Sequence, residues 1–596
     1  MSVTKAPEAT AIAREAKVHS SSEKHSANAG SDNHKDVEKH PSGHSFAEGI
    51  PSADDRPEAN ATDSVYSRKV YLVNRVMNEN SSSSACEGML TSARSLLQIG
   101  MGRFQWALFC LSGLGWLLDN LWLQAVAIIL PQIQNEFGIE HPQFMTLSLY
   151  IGLIIGASLW GVLADVIGRR PSFNVTLFLA GVFGVVGGAA PSFVGLGGIL
   201  AALGIGLGGN LPVDGMLFLE FIPGANQYLL TLLSVYWSLG QLIASLLAWV
   251  LIANFSCAED ATNVPSRIET LASQGIIARA CLKADNMGWR YAFFTFGGLT
   301  LVCFILRFFV FNLPESPKYL IAKGRDSAAV KVLKDVAARN GVTLTDEDIS
   351  VDILKTAAGE KVEEADLAEE KDESVLKTML RGVSMKMFTP ELSHVRPLFS
   401  GCKLAYNTSI IILLWGMIGL AYPLYNAFLP IYLSRAVGDA PAPTTNETYK
   451  NYAIISVCGV PGSIIAAWLV ELPRSGRRGA MSLGTVLTGV FLFAFTAART
   501  SAQNLAFNCV TALTQNIMYG VLYGYTPEVF PAPHRGTGDG IAASFNRICG
   551  LMAPIIAIYG SANNPNVPVY VSAALFVLAG LLMVTLQIES QGKTAL

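Results

Sequence analysis

The run "LSGLGWLLDNLWLQAVAIILPQI" (residues 111–133) is almost wholly apolar and carries one carboxylate, Asp119. Placed at the centre of a membrane helix, an aspartate costs roughly 2.5–3.5 kcal/mol on insertion scales. Such a group persists if it faces a wet cavity, pairs with a cation, or takes up a proton. Burial favours the protonated form, so a carboxyl whose exposure alternates can bind and release a proton. Asp119 is therefore a candidate for proton coupling or for contact with a cationic solute, with a structural, hydrogen-bonded role as the alternative. Asn120 and Gln124 are four residues apart and share a helix face, with Asp119 further round. Trp116 and Trp122 could stack on a ring or simply pack. Further on, Asn210 and Asp214 follow the glycine-rich "GIGLGGN", whose small residues suit close helix contact. Asp214 reads either as a cavity group or as part of a cytoplasmic gate. Arg547 lies in the apolar "IAASFNRICGLMAPI" and needs a partner there, either Asp119 or Asp214 or an anionic solute. Gln241, Tyr422, Tyr425, Asn426 and Asn516 are polar groups within apolar runs and are candidate cavity walls.

The elements that must position these residues are read from hydropathy. The chain has 596 residues, of which 51% are hydrophobic and 15% charged, with a mean hydropathy of +0.40. Soluble domains carry about 25% charged residues. Apolar runs of about 20 residues, the length that crosses a bilayer, are expected near 104–130, 145–164, 172–190, 193–219, 228–254 and 289–312. A second set follows near 407–433, 451–471, 480–498, 504–524, 538–560 and 567–588. The expected fold is an all-α membrane protein of 12 transmembrane helices in two six-helix bundles. Its expected parts are a disordered cytoplasmic tail (1–100), a first bundle (101–312), a cytoplasmic loop with short amphipathic helices (313–403), a second bundle (404–588) and a cytoplasmic C-terminus (589–596). Within the loop, "DSAAVKVLKDVAARNG" has a helical amphipathic pattern, whereas "EKVEEADLAEEKDESVLK" reads as a solvated or regulatory tether.

Basic residues set the orientation. The joints "ADVIGRRPS", "ELPRSGRRGA" and "PAPHRGTG" fall on one side if the tail and central loop are cytoplasmic. The opposite side receives 255–288, where Cys257 and Cys281 could pair in an oxidising lumen, and 434–450, where Asn446 begins the glycosylation sequon "NET". Five of the eight histidines lie in the tail without regular spacing, and the nine cysteines form no CxxC pair. These patterns, with no nucleophile elbow or phosphate loop in a credible context, point away from metal, cofactor and enzyme chemistry. The net charge of −3 gives no argument for nucleic acid.

The joint "GVLADVIGRRPS" after span two recurs as "ELPRSGRRGA" after span eight. An arginine-bearing turn between helix ends can pair with nearby carboxylates and latch that side shut; a topological anchor is the plainer reading. At this point the sequence resembles the major facilitator superfamily. Gly161, Asp165, Gly168, Arg169 and Arg170 match that family's signature joint. "NLPESPKYLIAKGR", with Glu315, and "YGYTPEVFPAPHRGTG", with Glu528 and Arg535, look like sugar-porter joints. "GRFQWALFCLSGLGWLLDNLWLQ", "GGNLPVDGMLFLEFIP" and "NMGWRYAFFTFG" are similar to the synaptic-vesicle-glycoprotein-like branch. The resemblance implies two bundles around a central cavity that opens to either side by rocking. It also implies a cytoplasmic gate in which Glu220 meets the first arginine joint, with Glu471, Arg477 and Arg478 in the second. The chain departs from the sugar pattern at Leu200, where span four would carry arginine, and at Pro473, which replaces an aspartate of the second joint. Span seven lacks the paired glutamines of hexose carriers. The function expected is secondary active transport of a small organic solute, proton-coupled, by a monomer in the bilayer. The plasma membrane is its expected location, with the vacuolar membrane second. Efflux of a metabolite or drug, or sensing without transport, are the alternatives.

Overall fold

The computed structural model describes residues 61–77, 99–359, 395–433 and 443–589, apart from short breaks within them. Its helices follow the twelve expected segments in order. In the first half they are Arg103–Phe137, Phe144–Ile167, Arg169–Gly188, Phe193–Gly208 continued by Asn210–Phe221, Tyr228–Leu232 continued by Ser234–Leu251, and Gly288–Ile305. In the second half they are Cys402–Asn426 continued by Leu429–Leu433, Thr445–Glu471, Gly476–Thr496, Ser501–Val529, Arg535–Gly550 continued by Met552–Gly560, and Val567–Val584. We refer to these as spans one to twelve. Ten of them are long and apolar enough to cross a membrane among the described residues. The side chains of several residues at the C-terminal end of span two lie outside the described residues, and span ten carries Asn504, Asn508, Gln515 and Asn516 along its length. Large apolar side chains such as Phe178, Val302, Phe309, Trp468 and Leu581 are exposed on the spans, as expected of a surface that meets lipid rather than water.

Close packing rests on small residues, because lipid gives helices no hydrophobic drive to associate. Gly152 and Gly156 of span two face span four, and Gly204 and Gly208 of span four face span two. A Cβ on Gly204 would stand 2.5 Å from the Leu149 carbonyl oxygen. The glycines of "GIGLGGN" are thus contact residues, and span four breaks at the last of them, Gly209.

At one end of the bundles three short helices, Pro317–Ala322, Asp326–Arg339 and Val351–Ala358, follow span six. The second is the amphipathic segment expected there, and the acidic stretch 360–377 lies outside the described residues. The expectation of a wholly disordered tail is corrected at residues 61–77, which form a helix. Val70, Val73, Val76 and Met77 are buried along one side of it. Lys69 bonds to Asp326 at 2.7 Å with both side chains buried, and Arg68 donates to the Ala358 carbonyl. The overall polarity of the first hundred residues hides this one amphipathic stretch. Residues 1–60 and the tail histidines lie outside the described residues. On the opposite face Cys257 and Cys281 are joined as a disulfide, with Cα atoms 5.7 Å apart. There Glu136, beyond the expected end of span one, accepts two bonds from Arg290 (2.7 and 2.8 Å) and one from Trp289 (2.8 Å).

Candidate functional site: a charged cluster beside a donor-lined central cavity

Four buried side chains meet inside the first bundle. Asn210 of span four donates to Asp119 Oδ1 at 3.1 Å and to the Gly115 carbonyl at 3.0 Å. Its own oxygen accepts from Arg307 at 3.3 Å and Thr176 at 3.4 Å. Arg307 also forms an ion pair with Asp214 and lies over the Phe173 ring. The Oδ2 atoms of Asp119 and Asp214 are buried with no hydrogen-bond partner among the described residues. Gly115 leaves room for this arrangement, since a Cβ there would collide with the Asp214 carboxylate. Asp214 thus pairs with the guanidinium directly and Asp119 is linked to it through Asn210, in a site almost closed to solvent.

Arg307 was not singled out in the sequence. Its signal was a lone arginine near the end of span six, and a π-helical turn, Leu306–Val310, carries it. Such turns often mark functional positions in helices. The span-four arginine that the sugar-porter pattern expects is absent, and Leu200 there is fully buried. In this chain the cation comes from span six. Asp214 accordingly belongs to the buried cluster and not to the arginine-bearing joints.

Two small adjoining cavities lie between the bundles and share Leu123, Tyr150 and Tyr422. Of the expected wall residues, Tyr422, Arg547, Gln124 and Asn426 line them. Trp237, Tyr150, Tyr519, Tyr523 and Asn546 line them too and were not anticipated, because tyrosines and tryptophans in apolar spans read equally well as packing. Trp237 and Tyr422 are near parallel (19°) with centroids 6.4 Å apart, and Tyr519 stands edge-on to both. Arg547 makes no ion pair with Asp119 or Asp214; the latter is taken by Arg307.

Other expected wall residues are engaged elsewhere. Asn120 donates to the Trp237 carbonyl and Gln241 to Gln124, tying span one to span five. Tyr425 bonds to Asn508 within the second bundle. Asn516 accepts from Ser238 at 2.9 Å on the seam between halves. Tyr425 and Asn516 are thus corrected from cavity wall to packing and seam residues. Trp122 packs on Phe293 and Phe296 and donates to Thr300; Trp116 stands edge-on to Tyr523. The seam continues through Ser238–Ser463 and Ser245–Ser456, both 2.8 Å. At the outer end Tyr449 donates to the Ile128 carbonyl, and Trp249 donates to Asn446 at 2.6 Å.

The arginine-bearing joints repeat the same construction in each half. Arg169 meets Glu220 at 3.4 Å, and Arg477 grips Glu528 with two bonds of 2.6 and 3.0 Å. Glu315 accepts from the backbone N–H groups of Arg169 and Arg170 at 3.0 and 3.3 Å. Glu589 does the same for Arg477 and Arg478 at 3.0 and 3.4 Å. Each glutamate thus caps a helix N-terminus, where negative charge is favoured. Burial pushes the Glu315 carboxyl up, while the N–H groups of Ser316, Arg170 and Arg169 hold it down. Gly168 and Gly476 turn the chain at positive φ, +105° and +56°. Glu471 is a weak partner, 3.9 Å from Arg477 with its side chain 55% exposed. Arg535 of the second half lies buried within electrostatic reach of Glu220 and Glu528. The surroundings of Gly161 and the Asp165 side chain lie outside the described residues. Glu589 was missed because its work is done on backbone groups 112 residues away; the Glu-Ser pair it shares with Glu315–Ser316 was the available hint.

Two helical bundles, a cavity between them and a repeated arginine joint define a transporter of the major facilitator superfamily, not an enzyme. The family model for sugar (and other) transporters matches residues 140–595, and the chain belongs to that family. It is 42% identical over 564 residues to MFS siderochrome iron transporter 1 of Ceriporiopsis subvermispora, covering 94% of this chain and 98% of that one. It is 42% identical over 513 residues to the major facilitator-type transporter hxnZ of Emericella nidulans, covering 85% and 87%. Among solved structures, the proton:xylose symporter XylE superposes with a TM-score of 0.59 at 17% identity, over 83% of this chain and 98% of that one. The chain is a multi-pass membrane protein that transports small solutes.

Proposed function

We propose that this chain is a proton-coupled secondary transporter that carries one small organic solute by alternating access. The observation that carries the reading is the Asp119–Asn210–Asp214–Arg307 cluster. With both carboxylates ionised it holds two negative charges against one positive, and each aspartate leaves one oxygen unpartnered. A proton relieves that imbalance, and its loss restores it, so the cluster has two states that rocking can bias. The arginine latches of both halves act as the cytoplasmic gate, with Arg535 between Glu220 and Glu528. The solute binds at the central cavities between the bundles. The cell surface is the proposed membrane, and the disulfide-bearing loop then faces the oxidising outside.

The test is uptake into proteoliposomes under an imposed inward proton gradient. Asp119→Asn is expected to abolish uphill accumulation and to spare exchange of solute across the membrane. Gradient-driven accumulation at the native rate in that variant would sink the coupling role.

A further inference from the structure

The helix Ala61–Met77 takes no part in the cavities, the charged cluster or the arginine joints, yet it is seated by several independent contacts. It packs on the helices Pro317–Ala322 and Val351–Ala358. Val73, Val76 and Met77 join the buried apolar cluster. Lys69 pairs with Asp326 at 2.7 Å, both side chains buried, and Arg68 donates to the Ala358 carbonyl at 3.3 Å. Losing either member of the buried pair leaves a charge uncompensated, which penalises every other seating of the helix. The platform beneath it is fixed to the first half. Asn340, at the end of the helix that carries Asp326, donates to Gln105 at 2.8 Å and accepts from the Phe104 N–H at 3.0 Å, both at the start of span one. The Ile99 N–H, just before that span, donates to the Val76 carbonyl at 3.0 Å.

At its other end the helix reaches the second half. Tyr66 lies within electrostatic reach of Arg535, the first residue of span eleven. From Val76 back to Tyr66 is about 15 Å of helix, so one rigid element runs from the entry of span one to the entry of span eleven. Lys318, on a helix of the platform, also lies within reach of Arg535 and of Glu220. Burial and Arg535 push the Lys318 ammonium down to about 8, and Glu220 holds it up. Two like charges thus face one another across the seam between the halves. Glu220 offsets part of their repulsion, and the seated helix borders the place where they meet.

We propose that the helix Ala61–Met77 is a strap across this end of the seam: seated, it holds the start of span eleven against the first half and keeps the cytoplasmic gate shut; released, it lets the halves rock apart. The strap goes beyond the transport reading and rests on the gate that reading contains. It acts on the balance between closed and open states, and leaves the solute and the proton site untouched.

The test makes two readings on the full chain. Chymotryptic cleavage at Tyr71 reports release of the helix. Labelling of Thr231→Cys by an impermeant thiol reagent from the cytoplasmic side reports opening, because Thr231 is buried where spans five and ten meet; the chain without that cysteine supplies the background. Lys69→Glu sets two carboxylates together and should raise both rates, about tenfold or more. Adding Asp326→Lys restores the pair with its charges exchanged and should return both toward native. Tyr66→Ala keeps the seating residues and should speed labelling severalfold with cleavage unchanged. Three results would each overturn the strap: cleavage that rises without labelling in Lys69→Glu, labelling that stays fast in the exchanged pair once cleavage is native, or native labelling in Tyr66→Ala. The last decides the matter even where Lys69→Glu does not fold or does not free the helix. Failure of the gate itself looks different. Arg169→Ala with unchanged labelling removes the gate, whereas fast labelling in Arg169→Ala beside native labelling in Tyr66→Ala keeps the gate and discards the strap.

Discussion

At the scale of single residues, the chemistry of this protein is set by where one arginine stands. Arg307 is 2% exposed and neutralises an aspartate that is fully buried. Removing one member of a buried pair leaves the other uncompensated, at about 3–5 kcal/mol. Arg307→Gln is therefore expected to lower the thermal midpoint of the purified protein strongly. Adding Asp214→Asn should recover most of the loss, because the orphaned charge is then gone. If the double variant is no more stable than Arg307→Gln alone, the pair is not the source of the effect. Asp119 was legible because a carboxylate in an apolar run has few explanations. Arg307 and Trp237 were not, since one sits near a span end, where snorkelling is ordinary, and the other has an apolar body that reads as packing.

At the scale of elements, the joints and the N-terminal helix carry the predictions. Gly168 has a φ that other residues rarely adopt, and a Cβ there would stand 2.5 Å from Glu315. Gly168→Ala should therefore weaken the cap on span three. Arg169→Ala should release Glu220 and shift the population toward a cytoplasm-open state. Thr231 reports this shift. It is buried at the seam, where a Cβ on Gly524 would stand 2.5 Å from its hydroxyl. Labelling of Thr231→Cys by an impermeant thiol reagent from the cytoplasmic side should be faster in the Arg169→Ala background; an unchanged rate would refute the latch. The helix Ala61–Met77 is held by Lys69 and a short apolar face, so Lys69→Ala should speed proteolysis within it while leaving the spans intact. Equal cleavage rates would mean that the apolar face and the Arg68–Ala358 bond hold it without Lys69. The recurrence of Gly-Arg-Arg made both joints visible in the sequence. Of their capping glutamates, Glu315 was visible only through the family resemblance and Glu589 was not visible at all, because backbone N–H groups leave no residue-type signature.

At the scale of the whole molecule, twelve spans could be placed because a bilayer imposes one length and one polarity on every helix that crosses it. What hydropathy does not encode is which polar residues face the cavity and which face a neighbouring helix. Tyr425 and Asn516 are as polar as Tyr422 and Asn426, and only packing separates their roles. The outer loop is tied by the Cys257–Cys281 bond across a separation of 24 residues, a loop whose closure contributes about 3 kcal/mol in the chain-entropy model. Cys257→Ser with Cys281→Ser should lower the unfolding midpoint of the purified protein, and reduction of the native protein should lower it equally; no shift in either would leave the loop stabilised by its Asn263 and Glu136 bonds alone.

The two capping glutamates also order events in time. Arg169 is made 146 residues before Glu315, and Arg477 is made 112 residues before Glu589. Each half therefore spends most of its synthesis with the N-terminus of its third helix uncapped. Completion of the sixth helix delivers the missing carboxylate and sets that half's latch. A ribosome that stalls between residues 478 and 589 leaves one half finished and the other exposing an unfilled helix end to the cytoplasm, a difference that quality-control factors could read before the protein leaves the translocon.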